Sequence, residues 1–257
     1  TLKLWQQPVP LAVGGLALVL VVGLSVWTLT RSETDLRLGR FAIPVPVESQ
    51  LNIANVSSDL EISRDGGLVA YLTGTSADAF GPKELLLRSL NDFTATMLAS
   101  REPLYAPFFS PDNEWVGFYS IANNELRRVS VTGGSAIPIC DLPGVMAGAY
   151  WGEDDTIIFG TTALDDGLWR VEASGGLPEQ LTTPDAAQGV LTHSWPQILP
   201  GGQHVLFTMN ANPVDDSQIA VLSLDTGEQK VVARGGFHAR YIQTGHLVYG
   251  VGNTLRA

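Results

Sequence analysis

The feature that most constrains this chain is a phrase that returns about every 45 residues. Ser63-Arg64-Asp65-Gly66 leads into Leu68-Val69-Ala70-Tyr71, and Ser110-Pro111-Asp112-Asn113 into Trp115-Val116-Gly117-Phe118. Gly152-Glu153-Asp154-Asp155 precedes Ile157-Ile158-Phe159, Leu199-Pro200-Gly201-Gly202 precedes Val205-Leu206-Phe207, and Gln243-Thr244-Gly245 precedes Leu247-Val248-Tyr249. Each phrase reads as a hairpin, in which a turn rich in Asp, Asn and Gly sends an apolar strand back against the one before it. A third strand follows after about ten residues, in Leu85–Arg88, Leu126–Val129, Leu168–Val171 and Ile219–Leu222. The turns Asn91-Asp92, Thr132-Gly133-Gly134, Ser174-Gly175-Gly176 and Asp225-Thr226-Gly227 then introduce a short fourth strand, as in Pro178–Thr182.

Four short antiparallel strands in a unit of about 45 residues match a β-propeller blade. A sandwich lacks such a repeated phrase, and β-helix coils are far shorter. The fold expected is therefore all-β, a propeller of about five four-stranded blades over residues 41–257. Trp115 and Trp169 fall in strands that pack blade on blade, so they read as core fillers before ligand contacts.

The other strong feature lies ahead of the blades. Leu11 to Leu29 is a run of nineteen residues without a charge, long enough as a helix to span roughly 28 Å. Trp5 and Trp27 stand near its ends, and Lys3 and Arg31 bracket it. The run exceeds the apolar core of a signal peptide, and no A-x-A-like site follows it. A transmembrane helix with its flanks is expected over residues 1–30, with a polar connector over 31–40. Lys3 against Arg31, Arg37 and Arg40 would by simple counting place the blades in the cytoplasm, but long domains translocate largely regardless of such charges. Gly14, Gly15 and Gly23 form no G-x-x-x-G pair, so the helix shows no clear dimerisation face.

The phrases Phe109–Asp112, Leu168–Gly176 and Ser194–Gly202 resemble the repeats of WD-like, TolB-type propellers. With the preceding helix and Arg40-Phe41-Ala42-Ile43-Pro44-Val45-Pro46, they resemble more narrowly the propeller that follows a single transmembrane helix in a group of bacterial serine/threonine protein kinases. The resemblance implies a membrane-anchored, non-catalytic sensor propeller on the extracytoplasmic, periplasmic side, binding a protein, peptide or small molecule. The kinase itself would precede Thr1, because the sequence has no Gly-rich phosphate loop, V-A-I-K, H-R-D or D-F-G. The alternative parent is a membrane-anchored peptidase of the prolyl oligopeptidase type, with its hydrolase domain after Ala257. No G-x-S-x-G elbow occurs in the 257 residues. The start at Thr1 and the stop at Ala257, inside the third strand of a fifth blade, suggest a piece of a longer protein. Closure at six or seven blades would take roughly 40 to 100 further residues.

Candidate chemistry is sparse, and no catalytic, cofactor-binding or metal-binding residue is assigned. Glu153-Asp154-Asp155, Asp165-Asp166 and Asp215-Asp216 lack the spacing of a calcium loop and fit turns that bond their own backbone. Ser63-x-Asp65-x-Gly67 is similar to the start of a sialidase Asp box, which is also a turn-forming element. His193, His204, His238 and His246 are scattered, with no helical i, i+4 pair, and read as packed or surface residues. Cys140 has no cysteine to pair with. Asn55-Val56-Ser57 is a glycosylation sequon only in a host that glycosylates. The formal charge is −11, and four of the basic residues precede Phe41, so the blade region is more acidic still. Nucleic acid is thereby disfavoured as a partner.

Overall fold

A computed structural model describes residues 58–74, 81–92 and 94–257. They belong to one compact unit, Ile43–Ala257. The expected span at Leu11–Leu29, the connector 31–40, the propeller's start at Phe41 and the sequon at Asn55 lie outside the described residues. Among the described residues, no helix is long and apolar enough to cross a membrane.

Five antiparallel sheets follow one another along the chain. The first is β1 (Leu60–Ile62), β2 (Leu68–Thr73), β3 (Lys83–Ser89) and β4 (Ala95–Glu102). The second is β5 (Leu104–Phe109), β6 (Trp115–Ser120), β7 (Glu125–Ser130) and β8 (Ile137–Asp141). The third is β9 (Met146–Trp151), β10 (Thr156–Thr161), β11 (Leu168–Glu172) and β12 (Glu179–Gln180), whose last strand is shorter than Pro178–Thr182 suggests. The fourth is β13 (Val190–Ile198), β14 (His204–Ala211), β15 (Gln218–Ser223) and β16 (Gln229–Arg234). The fifth has three strands, β17 (Phe237–Ile242), β18 (His246–Val251) and β19 (Thr254–Arg256). In every sheet the strands pair in sequence order, and the first strand of each touches the first strand of the next, from β1 through β5, β9 and β13 to β17. The first strands therefore line the centre, whereas β12, β16 and β19 are largely exposed. This is a β-propeller of five blades.

The hairpin tips explain why the phrase recurs. In all five the backbone N–H of the fourth residue donates to the carbonyl of the first: Gly66 to Ser63, Asn113 to Ser110, Asp155 to Gly152, Gly202 to Leu199 and Gly245 to Ile242. That fourth residue is left-handed each time, with φ between 60° at Asp155 and 87° at Gly245, which Gly, Asn and Asp tolerate best. In blade 2 the Ser110 hydroxyl donates to the Asp112 carboxylate and accepts from the Trp115 N–H at 2.9 Å. Asp112 in turn accepts from the Glu114 N–H at 3.0 Å. Ser63, Asp65, Gly67 and Leu68 repeat this arrangement in blade 1. The likeness to an Asp box is thus a turn held by its own side chains.

Each seam between blades carries its own apolar cluster. Ala70, Leu72 and Leu85 meet Leu104, Phe109 and Val116 between blades 1 and 2. Tyr105, Phe108 and Tyr119 meet Met146, Trp151 and Phe159 between blades 2 and 3. Ile158 and Leu168 meet Val205 and Phe207 between blades 3 and 4, and Leu206 and Ile219 meet Ala239 between blades 4 and 5. Trp115 and Trp169 are partly buried against the second of these clusters. Trp115 also carries the Arg128 guanidinium 4.7 Å from its ring centroid.

At Gly160 the approach of blade 4 is closest. A Cβ there would stand 2.4 Å from the His193 carbonyl oxygen and 2.8 Å from the Ser194 Cα. Gly160→Ala is expected to destabilise the fold by about 2 kcal/mol or more, since backbone cannot step aside as a side chain can. Ser110→Ala, which strips the blade 2 tip of a buried hydroxyl with two partners, is expected to cost about 1–2 kcal/mol. Urea denaturation of both variants reads these losses; a midpoint equal to that of the native chain would contradict either account.

Candidate functional site

The first strands do more than pair. In blades 2, 4 and 5 their register with the second strand breaks between Tyr105 and Phe108, Ser194 and Gln197, and Phe237 and Arg240. In blade 3 it breaks opposite Phe159 and Thr161. At each break one residue is left-handed: Ala106 (φ 48°), Gly148 (φ 90°), Trp195 (φ 49°) and His238 (φ 50°). Each stands four positions before the first residue of its hairpin tip, so these bulges form a layer around the centre. Two of the four are large side chains in a backbone region that costs them of order 1–3 kcal/mol.

Those two side chains meet. The Trp195 indole stacks on the His238 imidazole at 5.1 Å between centroids with planes 13° apart, and both are half-buried. On its other side Trp195 overhangs Gly148, where an added Cβ would lie 2.8 Å from the indole Cδ1. One ring thus spans from the inner strand of blade 3 to that of blade 5. Two residues further on, the Gln197 amide oxygen accepts from the Tyr241 N–H at 2.7 Å, and its NH2 donates to the Tyr241 carbonyl at 3.0 Å. Arg240 returns the tie by donating from Nη1 to the Pro196 carbonyl at 3.2 Å. Burial pushes the Glu61 carboxyl above its usual range, and the charge of Arg240 pulls against that rise. Burial, with the Arg240 charge added, pushes the His238 imidazole down to about 4, so its ring is neutral at neutral pH.

At the hairpin-tip end the blades are tied by Arg64. Its guanidinium donates to the Trp151 carbonyl and pairs with Glu153, while lying 5.0 Å from the Tyr150 ring centroid. Its backbone N–H reaches Asn113 Oδ1 at 3.4 Å, so one residue of blade 1 touches the tips of blades 2 and 3. Two clefts lie on blades 4 and 5. One of about 420 Å³ runs along blade 5 past Phe237, His238, Arg240, Val248 and Leu255. Another, of about 550 Å³, lies beside Gln188, Asn212, Asp215, Asp216 and Arg234.

The acidic clusters separate into different roles. Asp154 accepts from the Thr156 N–H at 3.2 Å, as a turn residue would. Asp155 accepts instead from the Trp151 indole at 3.1 Å, and buried Asp166 from the Thr161 hydroxyl and the Trp169 indole, so these two hold side chains and not their own backbone. Asp215 and Asp216 sit in a 3-10 turn, Val214–Asp216. No group of three or more His, Cys, Asp or Glu is placed to hold a metal among the described residues. Cys140 is buried, and its thiol is pushed up to about 12, which keeps it protonated.

His193 lies inside β13 and is 1% exposed. Its Nδ1 is 2.7 Å from the Thr182 hydroxyl, which already accepts from the Leu168 N–H. The hydroxyl has one hydrogen and a second lone pair left for Nδ1. His204 and His246 are exposed. Sequence patterns drew attention to His238 and to Ser194-Trp195-Pro196 but not to the bulges. The available signal was Ala106-Pro107, Gly148-Ala149, Trp195-Pro196 and His238-Ala239, four residues ahead of each tip.

No family model matches the sequence, and no curated protein matches it. Among solved structures, the putative TolB of Agrobacterium tumefaciens superposes with a TM-score of 0.59 at 21% identity, over 75% of this chain and 74% of that one. TolB of Acinetobacter baumannii gives 0.61 at 17% identity, over 76% of this chain and 49% of its own. The fold is that of a TolB-like propeller. A puromycin-hydrolysing peptidase from Mycobacterium tuberculosis also matches, with a TM-score of 0.52 at 14% identity, over 76% of this chain but 33% of the peptidase. At these identities the likeness concerns the fold.

Burial lowers the His193 imidazole from 6.5 to about 4, so the folded state holds a neutral ring that the unfolded chain would protonate first. Its contribution is complete above pH 6.5 and is lost as pH falls toward about 4. The loss amounts to about 3 kcal/mol for this residue, and His238 works in the same direction. Calorimetric unfolding across that window is expected to show a falling midpoint, with a shallower fall in His193→Gln. A flat profile in the native chain would refute it.

Proposed function

We propose that this chain is a membrane-anchored binding propeller, the extracytoplasmic sensor portion of a receptor-type serine/threonine protein kinase whose kinase domain lies outside the chain. The observation that carries the binding role is the inner layer of blades 4 and 5. There the Trp195–His238 stack, both residues of which are left-handed, stands beside Arg240, which donates to the Pro196 carbonyl. Backbone strain at the centre of a ring lowers stability, and such costs concentrate where a ligand is held. The anchor rests on the uncharged run Leu11–Leu29, and the kinase context on resemblance of the helix-plus-propeller arrangement. The partner is then an extracytoplasmic protein, peptide or small molecule, and a signal would cross one helix through altered association between copies.

A second reading makes the blades the gate of a membrane-anchored serine peptidase. It is favoured by the match to the puromycin-hydrolysing peptidase, which spans three-quarters of this chain. The coding sequence on either side separates the two, a kinase upstream supporting the first and a G-x-S-x-G domain downstream the second.

Alkaline phosphatase and a cytoplasm-only fluorescent protein, each fused after Ala257, test the orientation. Phosphatase activity without fluorescence is expected, and the reverse would overturn the extracytoplasmic assignment. A displayed peptide library panned on the full chain tests binding. Enrichment of a consensus that Arg240→Gln abolishes is expected, and a library that never converges would count against a peptide-binding role.

A further inference from the structure

On the face of blade 5 turned away from blade 4, the sheet sets one charge among apolar groups. Its register pairs Arg240 with Val248 and Phe237 with Gly250, and Gly250 in turn with Leu255, so these five residues share a face. Leu247 and Tyr249 turn the other way, into the cluster with Leu206, Ile219 and Ala239 at the blade 4 seam. A Cβ added at Gly250 would lie 3.1 Å from the Phe237 ring, so the ring rests on bare backbone. The cleft of about 420 Å³ runs over this floor, with the exposed Leu255 at its β19 side.

Arg240 carries the charge of that lining, and burial keeps the neighbouring His238 neutral. The guanidinium spends one N–H on the Pro196 carbonyl at 3.2 Å. The ion pairs among the described residues involve Arg64, Lys83, Arg127 and Arg170 but not Arg240, and Glu61 lies outside the cleft lining. Two residues ahead of the tip, the place of Arg240 is taken by Phe108 in blade 2 and Gln197 in blade 4. Phe108 meets Trp151 of the next blade at 6.2 Å between ring centroids, and Gln197 bonds the Tyr241 backbone, so neutral groups close those faces. A neutral occupant of the blade 5 face would cover a guanidinium without a countercharge, which is strongly unfavourable.

A carboxylate supplies that countercharge and matches the guanidinium fork with parallel hydrogen bonds. An alkyl chain attached to it would cover the apolar floor. We propose that the blade 5 cleft binds a medium-chain alkyl carboxylate, with its carboxylate on Arg240 and its chain along Phe237, Val248 and Leu255. This inference rests on the reading of the protein as a binding module and names a ligand class for it.

Isothermal titration of the full-length protein tests it with octanoate, with octan-1-ol, which keeps the alkyl chain without the charge, and with acetate, which keeps the charge without the chain. The protein has a formal charge of −11, which repels anions, so a preference for octanoate over the alcohol has to come from a local cation. Octanoate is expected to bind at least about tenfold more tightly than either analogue. Arg240→Gln is expected to remove the preference over octan-1-ol while leaving the alcohol within about twofold. Leu255→Ser is expected to weaken octanoate by about threefold and to spare acetate. Leu177→Ser, at a leucine 96% exposed and outside the cleft, is expected to change neither. Circular dichroism and the thermal midpoint establish that each variant is folded. The proposal is overturned by no binding of octanoate up to about 10 mM, by octan-1-ol binding as tightly, or by a loss in Leu177→Ser equal to that in Leu255→Ser. If octanoate fails while library peptides are captured, the carboxylate site falls and the binding module stands; if both fail, both fall.

Discussion

A four-stranded sheet cannot bury both of its faces by itself, and in this protein that deficit is met by the next sheet along the chain. The four seams each hold a separate apolar cluster, from Ala70 and Phe109 between blades 1 and 2 to Ile219 and Ala239 between blades 4 and 5. Burial at roughly 25 cal/mol per Å2 makes such seams the main source of stability, so no blade is independent of its neighbours. Everything at the centre follows from this. Stacking the sheets fixes where the first strands lie, and the first strands fix where Trp195, His238, Gln197 and Arg240 meet.

The repeat is legible in the sequence because the tip turn has strict chemistry. A left-handed fourth residue restricts Gly66, Asn113, Asp155, Gly202 and Gly245 to types that tolerate positive φ, and a serine with an aspartate two residues on completes the turn in blades 1 and 2. The strands after the tips are equally plain, since burial demands apolar residues there. The bulges are not legible in that way. Their left-handed residue is Ala106, Gly148, Trp195 or His238, a set with no shared side-chain chemistry, because seam packing and not local preference holds the backbone there. Asp166 shows the same limit. It looks like a turn residue in the sequence, whereas the fold buries it and gives it the Thr161 hydroxyl and the Trp169 indole as partners.

Polar burial is managed differently at the seam of blades 1 and 2. Lys83 is 1% exposed, and its ammonium lies 3.6 Å from the Tyr105 ring centroid and 3.7 Å from an Asp59 carboxylate oxygen. Desolvation lowers the Lys83 pKa, and Asp59 opposes that shift. The ring face and the carboxylate together stand in for the water this cation has lost. Asp59 occupies the register position that holds Trp195 and His238 in blades 4 and 5, four residues ahead of its tip. One position of the repeat therefore serves packing in some blades and charge in others, which is how a ring of similar units acquires an asymmetric centre.

The reach of Arg64 from the tip of blade 1 to Trp151 and Glu153 of blade 3 has a mechanical consequence. Contacts between adjacent blades behave as hinges in series, and small rotations at each would add along the row. A tie that skips a blade closes a triangle, and a triangle cannot change its angles without stretching a side. Blades 1 to 3 are thereby braced as one stiff wedge at the tip end.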